Sequence, residues 1–161
     1  MIVRRATPSD AHGFAAVVAA VAEEGRWIAT EPPVDVEAFA ARVRAMLADG
    51  HDELFVLDDG GGVVGTLGLH GTRAAGVHAL GMAIVAAERG KGHGRAMVQA
   101  AIEHARSTGL HKVELEVWPD NERAIALYES AGFEVEGVRR DHYRRRDGSL
   151  RSSQIMALLL E

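Results

Sequence analysis

The spacing of hydrophobic positions along the 161-residue chain changes from segment to segment, and this pattern predicts the order of its elements. Apolar residues three and four positions apart predict four helices, over residues 10–24, 34–48, 94–107 and 121–130. Alternating or continuous apolar runs predict seven strands, over residues 2–6, 53–57, 63–69, 77–85, 112–117, 133–139 and 150–159. The resulting order, β-α-α-β-β-β-α-β-α-β-β, predicts an α/β fold in which a mixed sheet carries helices on both faces.

Composition restricts the class of protein. The length, with 47% hydrophobic and 25% charged residues, predicts one globular domain over residues 1–161. A formal net charge of −5 argues against nucleic acid as the main partner. The chain has no cysteine, which excludes disulfides, thiolate metal sites and a cysteine acyl-enzyme. It starts in a predicted strand, and no apolar run approaches the roughly 18 residues that span a bilayer, so we expect a cytoplasmic protein that does not bind membranes.

The most informative segment is the glycine turn at residues 89–94, Arg-Gly-Lys-Gly-His-Gly, between the predicted strand 77–85 and the predicted helix 94–107. Glycines allow a tight turn and a close approach to a ligand, and the free amides at a helix start bind anions. The segment therefore predicts a phosphate site, although its spacing fits neither a Walker loop nor the dinucleotide-binding fingerprint. Side chains that favour a polyanion surround it: Arg89, Lys91, His93, Arg95 and, at the start of a later helix, Arg123.

Two motifs together identify a family resemblance. Arg89, Gly92 and Gly94 match the pattern Arg/Gln-x-x-Gly-x-Gly/Ala, and Asn121 and the run Ala124 to Phe133 follow about thirty residues later. With this pair of motifs the chain resembles the GCN5-related N-acetyltransferase (GNAT) family, most strongly over residues 77–137. The resemblance implies a mostly antiparallel sheet of about seven strands, and acetyl-CoA as the co-substrate.

The resemblance also implies which residues hold acetyl-CoA. The pyrophosphate would lie on the glycine turn, at Arg89, Gly90, Lys91, Gly92, His93, Gly94 and Arg95. The pantetheine would pair with the backbone of Met82, Ala83, Ile84 and Val85. Asn121 has two possible roles of equal standing: it caps a helix, or, as the resemblance implies, it holds the pantetheine or the substrate. Tyr128 occupies the family position beside the departing sulfur. A tyrosine has a pKa near ~10 and a thiol a pKa near ~8.5, which is close enough for proton transfer or a strong hydrogen bond.

A base must deprotonate the incoming ammonium, and three residues are candidates. Glu116 lies on the strand before Asn121, and in the ribosomal-protein N-terminal alanine acetyltransferases, a branch of the family that this chain resembles locally, that glutamate is the base. Glu31 is the second candidate, in the 25–33 loop, where it and Trp27 could receive an amine. His78 is the third. The histidines show no spacing typical of a metal site, so we expect none.

The nature of the acceptor is the main open question. We expect an N-acetyltransferase in which a small or amino-acid-like amine attacks the thioester directly, because the loop from Trp27 to Pro33 looks able to close a site. A protein N-terminus is a second reading, and a CoA-binding sensor without catalysis is a third. The basic segment 139–151 is either a solvated hairpin or a docking surface for an acidic partner, subunit or substrate. A homodimer also stays open.

Overall fold

The computed structural model describes residues 1–161 and contains seven strands and four helices. The strands are β1 (Ile2–Arg5), β2 (Glu53–Asp58), β3 (Val63–Gly71), β4 (Val77–Ile84), β5 (Lys112–Val117), β6 (Glu134–Arg144) and β7 (Leu150–Leu159). The helices are α1 (Ala11–Glu23), α2 (Val36–Asp49), α3 (His93–Ser107) and α4 (Glu122–Ser130). None of the helices combines the length and the apolar character that crossing a membrane requires.

The strands form one sheet in the order β1-β2-β3-β4-β5-β7-β6. Every neighbouring pair is antiparallel except β4 and β5, which run parallel. The prediction of a mixed, mostly antiparallel sheet of about seven strands is confirmed. Strand β7 lies between β5 and β6, so the C-terminal hairpin β6–β7 sits against the parallel pair.

Side-chain alternation along β2 shows how the sheet separates two cores. Leu54 and Val56 pack against α1 and α2. Phe55 and Leu57 belong to the larger cluster that α3 and α4 cover. Helices therefore cover both faces, as predicted, and we call these the α1/α2 face and the α3/α4 face.

Strand β6 is longer than the sequence predicts, reaching Arg144 instead of residue 139. Its second half is charged and lacks an apolar alternation, so its pairing with β7 and not its composition makes it a strand. The pairing register shifts between Arg139 and Tyr143. Within this bulge Asp141 has a φ of 48°, and its N–H donates to the Ser152 hydroxyl at 2.9 Å.

Helix α1 begins at Ala11, after a 3₁₀ turn at Pro8–Asp10. Residues that precede the helix hold the Asp10 carboxylate. Its two oxygens accept hydrogen bonds from the Arg4 guanidinium at 2.8 and 2.9 Å and from the Thr7 N–H at 2.7 Å. Arg4 also binds Asp58 at 2.9 Å. The Arg4 hydrogen bonds hold the pKa of Asp10 far below its usual range, and the cluster ties β1, β2 and the start of α1 together.

The feature that creates the site is a separation between β4 and β5. The two strands pair only as far as Leu80 opposite Leu115. Beyond that point β4 continues to Ile84 along β3, and β5 continues to Val117 along β7. The two strands thus diverge and leave a gap inside the sheet that opens toward the carboxyl end of β4.

Candidate active site

A cavity of about 1240 Å³ fills the gap between β4 and β5 and extends to both faces of the sheet. Leu115 and Val117 pack into the cluster under α3 and α4. Because side chains alternate along a strand, Glu114 and Glu116 project from the opposite, α1/α2 face. Tyr128 lies in the α3/α4 cluster. The gap therefore connects the α3/α4 face, which carries Tyr128, with the α1/α2 face, which carries the two carboxylates.

The edge of β4 that faces the gap offers backbone hydrogen-bonding groups. Val85 donates its N–H to the Val64 carbonyl at 3.1 Å, which directs the backbone of Ala83 toward β3 as well. The alternation then turns the N–H and C=O groups of Met82 and the N–H of Ile84 into the gap, whereas the Ile84 carbonyl accepts the Arg89 Nε–H. Met82, Ala83 and Ile84 line the cavity, whereas Val85 lies outside the lining.

The glycine turn forms a cradle at the open end of the gap. Gly92 is the N-cap of α3 with a φ of 87°, Gly90 has a φ of 75°, and no side chain caps the helix. A Cβ on Gly92 would project into open space, whereas a Cβ on Gly94 would lie 3.0 Å from the Leu127 side chain. The first amides of α3 are therefore free and accessible, and their dipole attracts an anion.

The cations around this cradle divide into two groups. Arg95 and Arg123 line the cavity and form no ion pair with the protein. Lys91 and His93 lie outside the lining, and both approach Glu88, at 3.2 and 3.5 Å. The structure thus leaves the two arginines as the cations available to an anion in the cradle.

Arg89 lines the cavity but is fully engaged with the protein. Its guanidinium makes a bidentate pair with Glu24 at 2.6 and 2.8 Å, and its Nε donates to the Ile84 carbonyl at 2.8 Å. Glu24 also accepts the Trp27 indole N–H at 2.8 Å. The Arg89 hydrogen bonds, joined by that of Trp27, hold the pKa of Glu24 below its usual value. Arg89 therefore fixes the glycine turn to the end of α1.

Tyr128 lies on α4 with its ring 5.7 Å from that of Phe133. The residue is 6% exposed and lines the cavity. Burial raises its pKa to about 12, so the phenol is protonated throughout the neutral range. Its hydroxyl is thus a hydrogen-bond donor at the gap.

Asn121 has a structural role and also a place at the cavity. Its side-chain oxygen accepts the N–H of Ala124 at 3.2 Å, which caps α4. It lines the cavity beside Arg123 and Ala124. The cap leaves the amide N–H₂ free, so both readings of Asn121 remain compatible with the structure.

Glu116 stands on the α1/α2 face, where two side chains of β6 hold it. Arg139 contacts one carboxylate oxygen at 2.6 Å, and the Tyr143 hydroxyl donates to the other. Burial, with the hydrogen bond to Glu116, raises the pKa of Tyr143 to about 12. The Tyr143 ring in turn packs edge-on against Trp118, 5.2 Å away. These side chains form one fixed wall of the cavity.

The loop over residues 24–35 roofs this half of the cavity and is tied to the β6–β7 hairpin. Arg145 donates to the Ala29 carbonyl at 2.8 Å. Glu31 accepts the backbone N–H of Arg146 at 3.1 and 3.2 Å. Trp27 lines the cavity, whereas Glu31 lies outside the lining, at the joint between loop and hairpin.

His78 lies away from the other candidates. It lines a separate cavity of about 260 Å³ with His104 and Glu53, at the far end of α3. No group of three or more histidine, aspartate or glutamate side chains is arranged to hold a metal ion.

Comparison with known proteins identifies the fold and its family. A family model described as the acetyltransferase (GNAT) family matches residues 18–133, which is most of the chain. The chain belongs to this family. The match covers the gap, the glycine turn and Tyr128, and it ends before the β6–β7 hairpin.

Individual relatives are similar over part or all of the GNAT domain. The ribosomal protein bS18-alanine N-acetyltransferase of Escherichia coli K12 is 41% identical over 68 residues, 42% of this chain and 45% of that protein. The N-alpha-acetyltransferase RimI of Mycobacterium tuberculosis is 40% identical over 68 residues, 42% of this chain and 40% of that protein. The matches thus span less than half the length of these curated relatives.

Solved structures match the whole domain. A ribosomal-protein-alanine N-acetyltransferase from Brucella melitensis has a TM-score of 0.90 at 26% identity, covering 99% of this chain and 100% of that one. The yncA protein of Salmonella typhimurium, solved with its cofactor acetyl-CoA, has a TM-score of 0.87 at 22% identity, covering 100% of this chain and 94% of that one. The second likeness shows the shared fold alone.

Glu24, Trp118 and Ser153 are among the residues of this GNAT site that the sequence did not indicate. Glu24 was an ordinary helix residue in the sequence, and only the fold brings it to Arg89. Trp118 and Ser153 are buried in the cavity wall, each with a side-chain donor that has no protein partner. Trp118 directly follows the predicted strand 112–117, so its place at a strand end was the one available signal.

Proposed function

We propose that this protein is an N-acetyltransferase that moves the acetyl group of acetyl-CoA to a primary amine. The observation that carries the proposal is the gap between β4 and β5, which has an anion cradle at its open end and carboxylates and a tyrosine at its closed end. A long, narrow molecule with phosphates at one end and a reactive group at the other fits this arrangement.

The residues present suit acetyl-CoA. The free amides of residues 92–95 would receive the pyrophosphate, with Arg95 and Arg123 adding charge. The backbone of Met82 and Ile84 would pair with the amides of the pantetheine arm. Arg89, held by Glu24, would position the turn instead of contacting phosphate. Asn121 has its N–H₂ group available to the same arm.

The chemistry requires one bond to form and one to break. The amine nitrogen attacks the thioester carbon, the carbon–sulfur bond breaks, and the nitrogen loses a proton. The free N–H of Met82 would stabilise negative charge on the thioester oxygen. Tyr128 would donate a hydrogen bond to the departing sulfur. Glu116, directly or through a water, would accept the proton of the incoming ammonium, and the proton that the nitrogen loses after the attack would pass to the sulfur, so that CoA leaves as the thiol.

A small amine is the acceptor we favour. The loop over residues 24–35 is bound to the β6–β7 hairpin at several points, which encloses the α1/α2 half of the cavity. Trp27, Ile28 and Ala29 would then cover the acceptor. A protein N-terminus is the second candidate, supported by the partial identity with bS18-alanine and N-alpha acetyltransferases.

A thiol-release assay with acetyl-CoA against amines, amino acids and N-terminal peptides tests the proposal. Turnover of a small amine supports the first candidate, and turnover of peptides alone supports the second. Binding of CoA without any turnover would make the protein a sensor and contradict the proposed function.

Glu116→Gln tests the base, because the substitution keeps the shape and removes the charge. Only a neutral amine attacks, so kcat should fall most near neutral pH and recover partly at high pH, where more amine is already neutral. Glu31→Gln is the matched control and should keep the wild-type pH profile. A wild-type profile in Glu116→Gln with a flattened one in Glu31→Gln would move the base to the loop.

A further inference from the structure

Glu114 occupies a place next to the closed end of the gap. The last pair between β4 and β5 is Leu80 opposite Leu115. Glu114 directly precedes Leu115 and Glu116 directly follows it, and both project from the α1/α2 face. Their Cα atoms lie roughly 7 Å apart, as for any two alternate residues of a strand. The two carboxylates therefore flank the point at which the arm of acetyl-CoA would end.

The protein treats these two carboxylates differently. The charge of Glu116 is balanced by an ion pair with Arg139 at 2.6 Å, and its carboxylate accepts a hydrogen bond from the Tyr143 hydroxyl. Glu114 lines the cavity and is half-buried, yet it takes part in no hydrogen bond and no ion pair within the protein. A carboxylate that is partly withdrawn from water without a partner is unfavourable. Glu114 is thus the charge in this half of the cavity that lacks a counter-ion.

The neighbours of Glu114 leave room for a ligand and supply no cation. Ala79 on β4 and Ala157 on β7 lie opposite Glu114 on either side. The nearest lysine on the same face of β5, Lys112, binds Glu136 at 2.7 and 2.9 Å. Small side chains on both flanks and an occupied lysine leave the Glu114 carboxylate open to a group in the cavity.

We propose that Glu114 binds the acceptor amine in its protonated form, an inference that rests on the proposed function. The acceptor class is therefore a primary amine that enters as an alkylammonium cation from the α1/α2 face. Glu114 holds the cation beside the thioester, and Glu116, fixed by Arg139, takes the first proton and frees the nitrogen lone pair. The second proton leaves the nitrogen after the attack and ends on the departing sulfur, which is released as the thiol. Glu114 is an acceptor-binding residue, and Glu116 keeps the role of base.

Two CoA thioethers test this without knowledge of the natural acceptor. S-(2-aminoethyl)-CoA carries an ammonium two carbons from the sulfur, and S-propyl-CoA replaces that ammonium by a methyl group of similar size. Calorimetry with the full chain should show the aminoethyl compound binding about tenfold more tightly, as expected for a hydrogen-bonded charge pair in a partly buried site. Glu114→Gln should reduce this ratio to near one and leave the affinity for S-propyl-CoA unchanged.

Two control variants separate Glu114 from its surroundings. Glu134 on β6 lies in the same cross-strand row as Glu114, because it pairs with Ala157 of β7. It is exposed and lies outside the cavity. Glu134→Gln and Glu116→Gln should each keep most of the tenfold ratio. An equal affinity of the wild type for the two thioethers, or a ratio lost in Glu116→Gln and kept in Glu114→Gln, overturns the inference. Failure of both thioethers and of CoA itself to bind would instead contradict the proposed function.

Discussion

The role of Tyr128 can be tested by a change of one atom, Tyr128→Phe. The ring is buried and packs against Phe133, and phenylalanine keeps that packing. The hydroxyl makes no hydrogen bond within the protein, so its removal should change the free energy of unfolding by less than about 1 kcal/mol. Any larger loss of activity in the variant must then come from the reaction itself.

The size of that loss follows from the pKa of the phenol. Burial raises the pKa of Tyr128 to about 12, whereas a free thiol titrates near ~8.5. Full transfer of the proton from phenol to thiolate would be uphill by about 3.5 pKa units, or roughly 5 kcal/mol. Tyr128 therefore acts as a hydrogen-bond donor to the departing sulfur, and not as a complete proton donor. A hydrogen bond to a charged group contributes about 1.5–3 kcal/mol, so kcat should fall by roughly 10- to 150-fold.

The assay is thiol release at saturating acetyl-CoA, paired with calorimetry of acetyl-CoA binding. We expect Tyr128→Phe to lower kcat with little change in the affinity for acetyl-CoA. A group with a raised pKa stays protonated as the pH rises to that pKa, so Tyr128 should cause no decline in wild-type kcat below about pH 11. A kcat of Tyr128→Phe within twofold of wild type would show that Tyr128 contributes to packing and not to the reaction. A wild-type decline near pH 10 that disappears in the variant would refute the raised pKa.

Two further substitutions test the cradle and the fold. Gly92→Val places a β-branched residue at a φ of 87° in open space, and calorimetry should show acetyl-CoA affinity lowered at least tenfold. Gly109→Val is the control: it has a φ of 79° and is equally open at the other end of α3. It should lower stability by a similar amount and leave acetyl-CoA affinity unchanged. Asp10→Asn removes the charge of a buried carboxylate that pairs with the partly exposed Arg4, which keeps Asp58 as a partner, and should lower the unfolding free energy by about 1.5 kcal/mol near pH 7 in urea titrations. Because the pKa of Asp10 is depressed in the folded protein, its contribution to the free energy of unfolding is complete above about pH 5 and declines as the pH falls. The difference in unfolding free energy between wild type and variant should therefore shrink toward about pH 2. A difference that stays constant with pH would contradict this linkage.

The sequence predicts the elements well because each has a local signal. Strands β5 and β7 begin and end as predicted: β5 alternates, and β7 carries an apolar run after the Asp147-Gly148 turn signal. The gap itself has no local signal: Leu80 and Leu115 look like ordinary core residues, and only the pairing of β5 with β7 shows where the parallel strands separate. The glycine turn is predicted by its motif, because a helix N-terminus is a local property.

The partners of the candidate side chains depend on long-range packing and could not be predicted. Arg89 fits the phosphate motif, but α1 folds back to place Glu24 against it. Glu116 has an arginine partner only because β7 inserts between β5 and β6. This places Gly137 in the row of Glu116, and Arg139 follows on the same face of β6. The sequence predicts Glu31 at the substrate, whereas its carboxylate binds the hairpin backbone. In each case the residue type was informative, and the partner was set by the topology.

The two sides of the gap draw on different parts of the chain, which has a consequence for how such a protein can diversify. Contacts for the co-substrate would come from β4, α3 and α4, all within the matched residues 18–133. Much of the acceptor wall comes from the β6–β7 hairpin, after that segment. The hairpin can therefore be regarded as an exchangeable module. Grafting it together with the 24–35 loop it binds, onto a related domain, is a route to transplanting acceptor preference without rebuilding the cradle.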